Sequence, residues 1–439
     1  MRNRRLARLS SICIVLALGC AALTAAAAET GTLLTGKAAM GDWTNDAPEV
    51  RRKITVQDLP PPSSNVLAIN RARVIDRPPD VQPQVPPGFK ISLYASGFRD
   101  PRFLLTARNG DIFVVESRAN QIRVLRDTKK SGRPDTNEIF AEHNLNKPFG
   151  IAFYPPGDDP QFLYVANTDG IIRFPYRNGD LKARGPAQQL ATHLSPGGLL
   201  RGGGHWTRDI VFSPDGKKMY VSIGSRSNVS DKAAEENRAR IFEFNPDGTG
   251  QNVYAWGIRN AVGIAFRPGT NELWMSTNER DEIGEDLPPD YISRVRSGGF
   301  YGWPWFYIGN HPDPRHKGKH LELADNVVVP DVLVQAHSAT LNLCFYTGDQ
   351  FPSEYKDDIF AAFHGSWNRV KRTGYKVVRV AVDHSTGKAR GEYEDFVTGF
   401  VTSEGKVWGR PVGITVAKDG SLLISEDGNG TIWRVSYGR

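Results

Sequence analysis

The chain has almost no cysteine: three in 439 residues, at Cys13, Cys20 and Cys344. Two of them fall in the N-terminal apolar run, so Cys344 has no internal disulfide partner and the fold must rest on its core. Long apolar stretches are lacking too. The run from Ile12 to Leu23 is shorter than the ~20 residues of a spanning helix, and no later stretch approaches that length. A large net charge is also missing, since 55 Lys and Arg face 48 Asp and Glu, a formal +7. Four of those cations (Arg2, Arg4, Arg5 and Arg8) precede the apolar run, and residues 1–28 carry no acidic side chain. A basic start, a short apolar stretch and the small residues Thr24 to Ala28 predict a signal peptide over 1–28 and export to the periplasm. Without it, 51 cations face 48 anions, which disfavours a nucleic-acid-binding surface. Ala17-Leu18-Gly19-Cys20 offers lipid attachment at Cys20 as a minor alternative.

Several catalytic signatures are absent as well. Gly202-Gly203-Gly204 lacks the Lys-Ser/Thr of a phosphate-binding loop, and no strand–Gly-x-Gly-x-x-Gly–helix unit occurs. No Gly-x-Ser-x-Gly elbow appears, so neither a nucleotide nor a hydrolytic serine site is supported.

What is present is repetition. Residues 29–86 are Pro-containing and weakly periodic, which predicts an extended N-terminal arm laid over a domain or linking to one. From residue 87 to 439 a pattern recurs: a short apolar run, a tight turn such as Asn109-Gly110, Asp215-Gly216 or Asp419-Gly420, then two more short β-rich runs. It restarts at Phe103, Gly150, Asp209, Gly263, Leu343 and Gly413. Units of about 50 residues with three or four strands are the size of a propeller blade. Six of them predict an all-β, six-bladed β-propeller. The run Lys90 to Ala95 ahead of the first unit is placed to supply the outer strand of the last blade and close the ring.

In such a ring, chemistry belongs to loops converging on one end of the channel, and four loops carry polar residues that a turn does not need. His205 follows three glycines and precedes an inner strand, where it can act as a general base or simply bond a loop carbonyl. Arg259 and Asn260 precede the next inner strand. The Arg259 fork suits a carboxylate or a quinone oxygen, and equally a salt bridge between blades. Asn278, Glu279 and Arg280 open a loop whose acidic residues (Glu279, Asp281, Glu282, Glu285 and Asp286) suit a hard cation such as Ca²⁺, although the spacing is not that of an EF-hand. His364 to Arg369, followed by Arg410 in a later loop, would set cations around an anionic ligand.

Taken together, Gly203-Gly204-His205-Trp206, Gly257-Ile258-Arg259-Asn260, Gly298-Gly299-Phe300-Tyr301-Gly302-Trp303-Pro304 and His364-Gly365-Ser366-Trp367-Asn368-Arg369 resemble the soluble PQQ-dependent glucose/sorbosone dehydrogenase family, in its sorbosone-dehydrogenase-like branch. The resemblance implies a propeller binding pyrroloquinoline quinone (PQQ) and Ca²⁺ over the channel. It implies that His205 removes the substrate hydroxyl proton as hydride passes to the quinone, and that Arg259 stands beside the quinone oxygens. Asn260, Arg410, Arg369 or His364, and Asn146 with Lys147 would contact the cofactor, and the loop Asn278, Glu279 and Arg280 would hold the calcium largely through backbone carbonyls, together with PQQ itself. A sugar or aldehyde would be the substrate, and a quinone or cytochrome the external electron acceptor.

Three departures from the family pattern stand out. Gly204 replaces an Asp before the histidine, Glu279-Arg280 replace a Gly-Pro, and Trp408 stands where a cofactor arginine is usual. Two other readings stay open: a non-catalytic propeller that binds a glycan or protein, and a metal-dependent lactonase. The second would need acidic and Asn side chains spread over several blades.

Overall fold

The computed structural model describes residues 31–63, 69–190, 194 and 204–438. The expected signal peptide, Cys20 and the glycines Gly202 and Gly203 lie outside the described residues.

Six antiparallel sheets form the blades of a propeller. Their inner strands are Pro101–Thr106, Ile151–Tyr154, Ile210–Phe212, Ala261–Phe266, Thr340–Phe345 and Pro411–Val416. The second strands are continuous apolar runs because neighbouring blades cover both their faces. Ile112–Glu116, Met219–Ile223, Leu273–Thr277, Ile359–Phe363 and Leu422–Glu426 are buried along their whole length. Aromatic edges fill the wedges between blades: Phe113 of blade one meets Phe153 and Tyr176 of blade two at 5.3 and 5.7 Å.

Ring closure follows the sequence expectation. Phe89–Ser96 pairs antiparallel with Thr431–Tyr437, so the outer strand of blade six comes from the N-terminal side of blade one. Blade four is long because a segment carrying the Phe306–Tyr307 and His311–Pro312 hairpin intervenes before its outer strand, Val332–Val334.

The N-terminal segment, read from its prolines as an extended arm, also holds short regular elements. Arg51–Lys53 adds antiparallel to the outer strand of blade five, Tyr393–Val397, and Leu33–Thr35 adds parallel to Arg51–Lys53. Prolines occur just outside these pieces, so strand pairing was available to them. A buried ring of charge pins the addition. Arg52 donates to Asp395 at 2.6 Å and to Asp46 at 2.9 Å, and Lys376 reaches the same two carboxylates at 2.8 and 2.7 Å. Arg52, Lys376 and Asp395 are fully buried, so each charge depends on its partners.

The meander decides where side chains gather. The segment entering each inner strand and the turn leaving each second strand lie at the same end of a blade. The Asn-Gly and Asp-Gly turns, with Gly110, Gly216 and Gly420 at positive φ, lie at the other end. No helix among the described residues is long and apolar enough to cross a membrane.

Candidate active site

His205, before the inner strand of blade three, and Ser225, just after its second strand, meet at that shared end. His205 Nδ1 lies 2.9 Å from the Ser225 carbonyl oxygen. A carbonyl only accepts, so Nδ1 carries the proton and Nε2 holds a lone pair. Ser225 Oγ, 3.2 Å from Nδ1, gives its own proton to the Ser227 carbonyl at 2.6 Å. Burial, then the Arg259 charge, then Arg238 and Arg208, hold the His205 pKa well below 6.5. The imidazole is therefore neutral at pH 7. His205 and Arg259 share the lining of a cleft of about 480 Å³.

Gly224 permits this arrangement. A Cβ there would stand 2.6 Å from His205 Cβ and overlap the Asn260 side chain. Asn260 is buried, bonds Asn278 through Nδ2 at 3.2 Å, and keeps Oδ1 without a partner among the described residues.

Arg259 is 6% exposed and fully directed. It donates to the Asn228 carbonyl and side chain, each at 3.1 Å, to the Glu279 carbonyl at 2.6 Å and to Asp281 at 3.2 Å. Asp281 in turn accepts from Asn368 at 2.8 Å and lies 3.6 Å from His337, tying blade four to blade five. The salt bridge considered for Arg259 is thus present, and the same residue still lines the cleft.

The calcium loop is arranged otherwise than the resemblance implies. Arg259 occupies the Glu279 carbonyl, and Arg280 is closed in a buried ion pair with Asp313 at 2.6 Å. Asn278 spends its amide on the Thr340 carbonyl at 2.6 Å. Burial pushes the Glu279 carboxyl up to about 8 and its neighbour Asp290 up to about 7. Both guanidiniums at this loop are paired with carboxylates, Arg259 with Asp281 and Arg280 with Asp313. Among the described residues no group of three or more His, Cys, Asp or Glu side chains could hold a metal ion.

A second polar cluster joins blades five, six and one. Arg410 donates to His364 Nδ1 at 2.9 Å, which leaves the His364 Nε2 proton for Asp427, 2.9 Å from both carboxylate oxygens. Arg102 also pairs with Asp427 and lies over the Trp206 ring at 5.6 Å, next to His205 in sequence. Burial, then Arg410, pushes His364 down to about 4. With His364 neutral, two guanidiniums face one carboxylate, and Arg410 Nε is buried without a partner among the described residues.

The remaining expected contacts are engaged within the chain. Arg369 donates to the Met40, Glu285 and Ala336 carbonyls and pairs with Asp286 at 2.8 Å, so it clamps the N-terminal arm. Asn146 bonds Asp169 at 2.8 Å, and the Lys147 amide bonds Asn120 at 2.7 Å; both shape the blade-two entrance. Trp408 is fully buried and donates to the Gly399 carbonyl at 2.8 Å. Ser225, Asn228, Asp427 and Arg102 are members of these two clusters that the sequence motifs did not single out. The first three lie in or just beyond turns that leave second strands, so their shared position in the blade repeat is the signal that marks them. A larger recess of about 700 Å³, with Phe140, His143 and Lys182 in its lining, follows blades one and two away from these groups.

A family model described as Glucose / Sorbosone dehydrogenase matches residues 187–434, and one described as TrAA12-like matches residues 83–290. The chain belongs to the glucose/sorbosone dehydrogenase family. Within this family setting, a protein of unassigned function from Borreliella burgdorferi is 30% identical, over 81% of this chain and 90% of its own length. A pyrroloquinoline quinone-dependent pyranose dehydrogenase from Coprinopsis cinerea is 24% identical over 81% of the chain, which spans only 54% of that enzyme's length. The solved PQQ domain of the Coprinopsis cinerea pyranose dehydrogenase, in its holo form, superposes with a TM-score of 0.68 at 21% identity, covering 84% of this chain and 100% of that one. At that identity the likeness speaks for the propeller fold alone.

Proposed function

We propose that the chain is a PQQ-dependent oxidoreductase that oxidises a sugar or aldehyde, aldose- or sorbosone-like, after export to the periplasm, and passes electrons to an external quinone or cytochrome. The observation that carries this reading is the neutral His205, its proton fixed on Nδ1 and its Nε2 lone pair available beside Arg259. The relatives named as PQQ-dependent sugar dehydrogenases support the cofactor class.

The residues fit an anionic cofactor. PQQ carries three carboxylates, and both clusters are rich in guanidiniums: Arg259, Arg238 and Arg208 around His205, and Arg102 with Arg410 beside Asp427. Arg410, with its unpartnered Nε, and Arg102 would hold carboxylates, while Arg259 and the free Oδ1 of Asn260 would orient the ring system. When bound, PQQ supplies the two-electron acceptor. Calcium would join PQQ on backbone carbonyls of the Asn278-Glu279-Arg280 loop, of which the Glu279 carbonyl already accepts from Arg259.

His205 does the proton work. Its Nε2 takes the proton of the substrate hydroxyl as the attached carbon is oxidised, and the imidazolium that forms keeps its Nδ1 proton on the Ser225 carbonyl. Low basicity suits a base that must release the proton afterwards. Arg259, locked by Asn228 and Asp281, offers a fixed positive charge where negative charge develops, without reorganising. The reading is tested by adding PQQ to apoprotein and following dye reduction over a panel of aldoses, sorbosone and lactones. Sugar-dependent dye reduction is expected, and lactone hydrolysis without PQQ would replace this reading.

A further inference from the structure

A second recess, of about 330 Å³, opens beside the His205 cleft. Trp256, Trp305 and Arg240 line it, and Ser230, Lys232 and Glu235 line both it and the cleft.

Its aromatic wall is rigidly backed. Trp256 stacks on Phe300 at 4.1 Å and 26°, and Trp305 lies against His320 at 3.9 Å. The two indoles meet edge-on at 6.4 Å and 76°. The Trp256 backbone is held on both sides, its N–H on the Gly299 carbonyl and its carbonyl on the Tyr301 N–H, each at 3.0 Å. Gly257, at φ +68°, makes the stacking possible, because a Cβ there would stand 2.5 Å from the Phe300 ring. Each indole therefore has one face covered by another ring, and both stay partly exposed.

Two donors lining the recess have no side-chain partner among the described residues. Trp305 Nε1 is buried with no partner among the described residues. Arg240 makes no side-chain hydrogen bond or ion pair among them either, and Glu236 is the one charge that favours its protonated form against burial. A purely apolar ligand would leave the Arg240 guanidinium without a partner. A pyranose ring answers both kinds of surface: its C–H face lies on the electron-rich indole face, and its hydroxyl pairs accept from the guanidinium fork.

We infer that this recess is a carbohydrate subsite holding a second pyranose unit, so that the preferred ligand is a di- or oligosaccharide whose terminal sugar reaches His205. The inference rests on the sugar-oxidising reading for the identity of that terminal unit. The subsite itself is tested by binding, without turnover.

Calorimetric titration of the full protein with glucose, cellobiose, cellotriose and maltotriose reads it. At least one oligosaccharide is expected to bind about tenfold or more tighter than glucose. Trp305→Ala and, separately, the milder Arg240→Gln should remove that advantage, with glucose affinity changed by less than about twofold. Oligosaccharides no tighter than glucose, or a preference that survives both substitutions, would overturn the subsite. Oligosaccharide preference without PQQ-dependent turnover would overturn only the redox reading. Glucose turnover without preference would overturn only the subsite.

Discussion

His205 Nδ1 lies 2.9 Å from the carbonyl oxygen of Ser225. That contact sets the tautomer through main chain, at a position where the family resemblance implies an orienting carboxylate. Ser225→Ala keeps the carbonyl and is expected to lower kcat by less than about tenfold, whereas His205→Ala should cost about 10²–10⁴. Dye-reduction kinetics on the two PQQ-loaded variants check this.

The pH dependence follows from the same environment. A general base works unprotonated, and burial with Arg259 holds the His205 pKa well below 6.5. As pH falls from 8 to 6 the imidazole should therefore stay neutral, and kcat should show no acid limb from this group. Arg259→Gln removes a repelling cation, so a limb should move up towards 6.5 while kcat falls. A wild-type limb near 6.5 would count against the assignment.

Gly224 bears on the site through space rather than chemistry. Gly224→Ala pushes a methyl against His205 and Asn260, an overpacking change that typically costs about 1–3 kcal/mol. Both the denaturation midpoint and kcat should drop, in contrast to His205→Ala, which should affect kcat far more than stability. Thermal unfolding and activity measured on the same preparations separate the two.

Buried carboxyls give stability an unusual slope. Burial raises Glu279 to about 8 and Asp290 and Asp209 to about 7. Between the unfolded and folded pKa values the folded chain binds more protons, so this contribution is complete below about pH 4 and lost as pH rises through 7 to 8. Below about pH 6.5 the neutral His205 and His364 contribute a slope of opposite sign, so the unfolding midpoint should decline from about pH 7 to 8, and Glu279→Gln should flatten that decline. Denaturant titrations across that range read it.

The N-terminal arm depends on a charge set that is favourable only when complete. Arg52→Ala leaves Asp395 and Asp46 short of a buried partner, a loss of about 3–5 kcal/mol. Unfolding should begin with the arm, visible as early proteolysis ahead of residue 89 while the propeller stays intact.

The propeller was legible because its punctuation is compulsory: Gly110, Gly216 and Gly420 take positive φ that other residues resist, and the apolar runs between them are covered on both faces. Those turns mark the end opposite the chemistry. His205, Arg259 and Arg410 were legible as polar residues entering inner strands. Their partners were not, because Ser225 acts through a carbonyl that any residue supplies, and Asp427 meets His364 across 63 positions. Arg369 looked like a cofactor contact for the same reason: an arginine in a site loop does not announce that Met40 of the arm will take its donors.

The proposed chemistry is tested most directly by PQQ titration of wild type and His205→Ala, followed by absorbance, with sugar-dependent dye reduction measured on the same loaded samples. Both proteins should bind PQQ with similar affinity, and only wild type should turn over at full rate. Failure of wild type to bind PQQ, or full activity in His205→Ala, would contradict it.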